Sequence, residues 1–195
     1  GGAGGTNILD LSGYLTEVDA SLTSATANGY TGTTAGATNP TGGFSNITNI
    51  KDGTTVLGTL TGDNNANTWS ITGTNSGTVN DGTATLTWSG FGSLTGGSST
   101  DAFPLSGGTL SGAIDGGLGT NTLTADNVVN TWTITAPNTG TVTGVGTTFS
   151  NIGNLVGGTN NDTFTFSNTA TLTGTVNGGA GGTNILDLSG YLTEV

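Results

Sequence analysis

Ten aspartates, two glutamates and a single base, Lys51, carry the charged chemistry of this 195-residue chain, which has no His, Cys or Arg. Three acids stand out by their place behind glycine corners: Asp63, Asp101 and Asp162. Their setting is close to a calcium-binding turn, Gly-Gly-x-Gly-x-Asp-x-U-x, where U is a large apolar residue. In that turn the carboxylate and turn carbonyls of one coil share an ion with the next, while U packs inward. Four segments keep the outline and none keeps it whole. Gly157 to Thr165 (GGTNNDTFT) retains Asp162 and Phe164 but has Asn160 at the fourth position, and Gly96 to Pro104 (GGSSTDAFP) retains Asp101 and Phe103 but has Ser99. Gly116 to Thr124 (GGLGTNTLT) replaces the carboxylate with Asn121, and Gly178 to Leu186 (GGAGGTNIL) replaces it with Thr183. A shared ion wants carboxylates on successive coils, and Asp101 and Asp162 are spaced three coils apart. The corners are therefore expected to turn without metal and no cofactor is required. Calcium at Asp101, Asp162 or near Asp63 is the alternative.

Catalysis has little to work with. Acid pairs serve glycosidases, but here the acids are dispersed at corners, where an Asp bonding its own backbone is the ordinary arrangement. One lysine cannot stabilise developing charge at several sites, so no enzyme is expected. A net charge of −11 excludes a phosphate-binding surface, hence nucleic acid and anionic lipid. It favours solubility and attracts divalent cations. No apolar run approaches the roughly 20 residues of a membrane span. Without Cys there is neither a disulfide nor a thiolate metal site. A chain with one trypsin-type cleavage point suits an extracellular setting.

The elements that must position these corners are strands. Gly, Thr, Asn and Ser fill 118 of 195 positions, yet apolar residues make up 31% and stand singly between Thr and Gly, as in Thr-Trp-Thr-Ile-Thr at 131 to 135. That is strand alternation. Gly and β-branched Thr at this density disfavour helix by roughly half to one kcal/mol per residue. One apolar side chain per strand is expected to point inward, among them Leu94, Phe103, Ile114, Leu123, Trp132, Phe149, Leu155, Phe164, Leu172, Val176, Leu186 and Leu188.

Repetition organises the whole. Residues 1–18 and 178–195 are the same eighteen letters, GGAGGTNILDLSGYLTEV. The expectation is one tandem period, 1–177, followed by the start of the next, 178–195. Within the period, Asn67 to Gly117 aligns with Asn130 to Gly179 at offsets of 61 to 63, and Phe44-Ser45-Asn46-Ile47 recurs at Phe149-Ser150-Asn151-Ile152. Three sub-units of about 60 residues are expected. Gly-Gly corners at 1, 42, 96, 116, 157 and 178 lie about 20 residues apart, or about 40 where one corner is degenerate. A turn signal at this interval fits a parallel β-solenoid, a right-handed β-helix, with about nine coils of about 20 residues per period and a rise of roughly 43 Å. Separate β-sandwich domains would need longer strands and a larger aromatic core. The segment Ala20 to Gly43 departs from the pattern and is expected to be a protruding loop, a lateral contact or a glycan-facing surface.

The order NTW-(S/T)-IT, SGTV, FSNI or FGSL, TDAF or NDTF, TLSGAIDGGLGTNTL and then LDLSGY resembles the β-strand repeat regions of giant bacterial surface adhesins, related to RTX-type and filamentous-haemagglutinin-like repeat proteins. The resemblance covers nearly the whole period. It implies an elongated extracellular protein, secreted or attached to the cell surface, that forms a fibre for adhesion or matrix. Its partners would be adjacent repeats of the same chain, by lateral bundling as well, and surfaces or glycans. A passive adhesin stalk and a calcium-responsive RTX-like module are the alternatives. Thr-x-Thr pairs such as Thr131/Thr133 and Thr163/Thr165 would suit ice binding if stacked uniformly, but their spacing is not uniformly one coil.

Overall fold

The computed structural model describes residues 2, 4–37, 39–53, 55 and 57–192. Thr193, Glu194 and Val195, the last letters of the second copy, lie outside the described residues. The chain is all-β. Among the described residues it forms twenty strands and no helix. The first are β1 (Ile8–Asp10), β2 (Val18–Thr26), β3 (Gly29–Gly36), β4 (Phe44–Ile47), β5 (Asn49–Lys51) and β6 (Thr59–Thr61). There follow β7 (Thr68–Gly73), β8 (Ser76–Asn80), β9 (Thr85–Ser89), β10 (Ser93–Gly97), β11 (Ala102–Pro104), β12 (Ile114–Gly117) and β13 (Asn121–Thr124). The last are β14 (Asn130–Ala136), β15 (Thr139–Val142), β16 (Phe149–Ser150), β17 (Ile152–Val156), β18 (Asp162–Phe166), β19 (Val176–Asn177) and β20 (Ile185–Asp187).

These strands make two sheets. Sheet I runs β1-β5-β9-β8-β7-β11-β13-β17-β19, and sheet II runs β4-β3-β2-β6-β10-β12-β16-β15-β14-β18-β20. The chain alternates between them, and consecutive visits to a sheet pair in parallel. Leu94 lies opposite Ile114, Phe103 opposite Leu123 and Phe164 opposite Leu186, each partner one short circuit further along the chain. Alternating burial follows from the sequence alternation, as in Asp162–Phe166, where the first, third and fifth side chains are buried.

Elsewhere the partner lies much further along: Trp132 pairs with Phe164, Leu60 with Leu94 and Leu9 with Ile50. The expectation that such intervals hide two turns with a degenerate corner is corrected here. In each, the chain doubles back within one sheet as an antiparallel meander: β2–β3–β4 in sheet II, β7–β8–β9 in sheet I and β14–β15–β16 in sheet II. The three share a build. In each, the first two strands are joined by a two-residue turn whose second residue is Asn (Asn28, Asn75, Asn138), and their pairing carries a register shift, beside the turn in the second and third meanders and two pairs further from it in the first. Ala20 to Gly43 is accordingly not a loop: most of it is the hairpin β2–β3, with Ala20 and Tyr30 fully buried.

Every meander also sets a glycine of its middle strand opposite an aromatic residue of its last: Gly32 and Phe44, Gly77 and Trp88, Gly140 and Phe149. A Cβ on Gly140 would lie 2.3 Å from the Thr133 carbonyl oxygen and 2.8 Å from the Phe149 ring. The missing side chain gives the aromatic its seat.

The interior is one continuous cluster of apolar side chains. Trp132 stacks on Phe164 at 5.4 Å between ring centroids and meets Phe149 edge-on, and Trp69 stacks on Phe103. Of the side chains expected inside, those from Leu94 to Phe164 are buried, Leu172, Val176 and Leu188 are partly buried, and Leu186 is 55% exposed. That exception sits on β20, the last strand of sheet II.

Candidate functional site

The three candidate acids do not form one site. Asp101 immediately precedes β11 in sheet I, whereas Asp162 opens β18 in sheet II. Asp63 follows β6, and its carboxylate accepts from the backbone N–H and side-chain amide of Asn65, at 3.1 and 2.9 Å, closing a local turn. Among the described residues no three acidic side chains gather in a way that could hold a metal ion.

Asp101 and Asp162 instead belong to two vertical ladders at the strand starts. In sheet I, Asp101 Oδ1 accepts the N–H of Asn67 at 2.7 Å, and the Asp101 N–H donates to Asn121 Oδ1 at 2.8 Å. In sheet II, Asp162 Oδ1 accepts the N–H of Asn130 at 3.0 Å, and the Asp162 N–H donates to Asn184 Oδ1 at 3.0 Å. Each Asx side chain thus takes the backbone N–H of its counterpart on the strand before. Asn67, Asp101, Asn121, Asn130 and Asp162 are all essentially inaccessible, so every such bond satisfies a donor that water cannot reach.

The ladders have a physical starting point. Asn67 immediately precedes β7 and Asn130 opens β14, strands flanked on their other side by an antiparallel meander strand, β8 or β15. That strand runs the wrong way to offer an equivalent N–H, and the Oδ1 atoms of Asn67 and Asn130 are buried without a partner. The two N–H donors of the Asn130 amide are shared among the carbonyls of Asp126, Val128 and Gly157 and Asp162 Oδ1, each at 2.8 or 2.9 Å.

A calcium cage takes six to eight oxygens from several carboxylates and carbonyls. Both oxygens of Asp101 already accept backbone N–H groups, of Asn67 and of Gly97. Its neighbours in the ladder are amides, as are those of Asp162, whose Oδ2 is buried without a hydrogen-bond partner. Burial pushes the Asp101 carboxyl above the ordinary carboxylate range, against the pull of the Gly97 and Asn67 N–H groups and with added repulsion from Asp63. Asp52, whose Oδ2 accepts the Gly58 N–H at 2.8 Å, is raised for the same leading reason.

Sequence reasoning missed Asn67, Asn130 and Asn184 in this role. The first two were legible as the Asn of the repeated NTW, five residues after Gly62 and Ala125, the interval that separates Asp101 from Gly96. At the fourth corner Asn184, not Thr183, takes the position, because GGAGGT is one residue longer.

Lys51 closes β5 opposite Asp10 on β1. The Ser12 hydroxyl and N–H chiefly hold the Asp10 carboxyl low, and Lys51 adds to the effect. Threonines align over only part of the surface: Thr131 and Thr133 of β14 face Thr163 and Thr165 of β18, but the next rung is Ile185 and Asp187. Two shallow concavities lie at opposite ends of sheet II, one beside Gly32, Phe44 and Ser45, the other beside Phe164, Val176 and Leu186. Comparison with protein-family models, with curated proteins and with solved structures found no match.

Proposed function

We propose that residues 1–177 are one period of a continuous parallel β-solenoid that builds a long extracellular fibre, a structural element for adhesion or matrix formation rather than an enzyme. The observation that carries this reading is the chain's alternation between two sheets, each strand pairing in parallel with one a single circuit further on, in a sequence that restarts identically at Gly178. A strand paired only with its forerunner and its successor has no reason to stop stacking, so a tandem sequence extends the same ladder. The chain crosses between sheets thirteen times from β1 to β20, and two crossings make a circuit, so a period has six and a half circuits. Three meanders thicken the stack, which restores a height close to that of nine plain coils.

The chemistry of the chain agrees with a load-bearing role. Both oxygens of Asp101, Oδ1 of Asp162 and Oδ1 of Asn121 and Asn184 take backbone N–H groups inside the wall. The likeness of the motif order to surface adhesin repeats supports an extracellular, non-catalytic setting, with adjacent repeats as the principal partner and the −11 charge keeping fibres soluble. The hand of the winding is proposed to be right, by the general preference of parallel crossovers.

Electron cryomicroscopy of a tandem array tests the reading. A thin unbroken fibre with a layer line near ~4.8 Å is the expected result. Beads joined by flexible gaps would overturn it in favour of independent domains on a stalk.

A further inference from the structure

Strands β1 and β20 are the same three letters, Ile-Leu-Asp, within the repeated eighteen, yet they lie in different sheets. The first ends sheet I with β5 as its neighbour; the second ends sheet II with β18 as its neighbour. Each shows the neighbour the other lacks. Laid on one another they form a complete rung: Phe164, Leu186 (Leu9) and then Ile50 along the core line, with Thr165, Asp187 (Asp10) and Lys51 beside it. The Asx ladder passes through as well. Asn184 Oδ1 accepts the Asp162 N–H, and its copy Asn7 donates its own N–H to Thr48 Oγ1 at 3.0 Å.

The count of strands then decides how successive periods are related. Sheet I holds nine strands and sheet II eleven; counting β1 and β20 once leaves nineteen per period. The chain changes sheet after every single strand and after every three-stranded meander, both odd numbers. An odd total returns it to the opposite sheet. Resting on the solenoid reading above, we infer that each tandem period is turned half a revolution about the fibre axis relative to the last, so that the end formed by β19 and β20 receives the β4 and β5 strands of the following period and sheet II of one period continues as sheet I of the next.

The structure already contains this exchange on a smaller scale. In β5–β6–β7–β8–β9 a single strand in sheet I is followed by one in sheet II, then by a meander that returns to pair β9 on β5. In β12–β13–β14–β15–β16 the sheets are interchanged and β16 returns onto β12, with Phe149 opposite Ile114 and Ser150 opposite Asp115. The next unit is β19, β20 and the first meander of the following period. Its sequence repeats the second: Val176-Asn177 corresponds to Ile114-Asp115, and Phe44-Ser45 to Phe149-Ser150. The joint is therefore β4 on β19, Phe44 opposite Val176 and Ser45 opposite Asn177. The burial pattern agrees. Phe149, seated on β12, is fully buried, whereas Phe44 and Val176 are only partly so and Leu186 is 55% exposed. The two concavities, beside Phe44 and beside Val176 and Leu186, are the two halves of this contact.

A fibre built so has two equivalent sides. At nineteen strands shared between two sheets, one period advances about 46 Å and the true repeat is about 91 Å. The test extends the 195-residue chain to three full periods, with Ala27→Cys in each. Ala27 is an exposed hairpin-turn residue between β2 and β3, and the chain has no other cysteine, so a gold label reports the hairpin alone. Images should show labels stepping about 46 Å along the fibre on alternating sides. An unbroken fibre with every label on one side would overturn the half-turn and leave the solenoid standing. Separate beads would overturn both.

Discussion

Asp101 shows how a residue type that invites one chemistry is used for another. Its oxygens hold two N–H groups, a partly buried one from its own corner and a buried one from Asn67 on the preceding circuit. Removing them with Asp101→Ala should cost about 3 kcal/mol in denaturant unfolding, since an orphaned buried donor costs roughly 1–3 kcal/mol. Asp101→Asn, which keeps one acceptor, should cost less. The same pair separates the charge from the hydrogen bonds. A carboxyl whose folded-state pKa is raised binds its proton more readily folded than unfolded. Its contribution is complete below the ordinary value of about 3.9 and is lost as pH rises through the raised value. Asp52 acts in the same sense. Asp81 acts oppositely: burial raises it, but the N–H groups of Ala84 and Thr83 prevail and hold it low, so its contribution disappears only as pH falls through that lowered value. The unfolding midpoint should therefore climb as the medium is acidified from neutrality towards the carboxylate range, and Asp101→Asn should flatten the climb. The corner spacing of these residues was legible in the sequence. The direction of their bonds was not, because a partner on another strand, one or more corners away, leaves no local mark.

At the level of elements, strand alternation and the corners were legible from the Thr-apolar pattern. The doubling-back was not, since a glycine-marked corner looks the same whether the chain crosses to the other sheet or returns within its own. The distinguishing signal is the glycine inside a strand, in Ser-Gly-Thr-Val (76 to 79) and Thr-Gly-Thr-Val (139 to 142), where strand propensity alone disfavours it. Gly140 is there because Phe149 and the Thr133 carbonyl leave no room for a methyl group. Gly140→Ala should destabilise the chain by about 3 kcal/mol or more, through overpacking and a displaced aromatic. Gly13→Ala, at a position with open space and no left-handed backbone, should leave the midpoint within about 0.5 kcal/mol of the parent. Circular dichroism melts of the two variants side by side make the comparison; equal losses would remove the aromatic seat as the reason for the meander glycines.

For the whole molecule, the proposed tandem period rests on the repeated letters, while its parity rests on the strand order, because nineteen differs from eighteen only once each meander is known to hold three strands. That parity bears on stability. In a stack whose units touch only their neighbours, the total is a sum of unit and joint terms. The joint here is a set of half-made environments: Leu186 with Phe164 but no Ile50, Leu9 with Ile50 but no Phe164, and Asp187 without the Lys51 that faces Asp10. Joining two periods completes all of them at once. Closing over the exposed half of one leucine alone contributes roughly 1–2 kcal/mol, and the added Phe44 and Val176 contacts increase it. Chains of one, two and three periods should therefore melt at successively higher temperatures, with the larger step from one to two, because each end is a fixed cost shared among more units. Replacing Leu186 with Asn in the internal copies, on a core line that continues from Phe164 to Ile50, should erase the gain and return the multi-period chains to the single-period midpoint. A midpoint independent of period number in the parent sequence would mean that the periods fold apart.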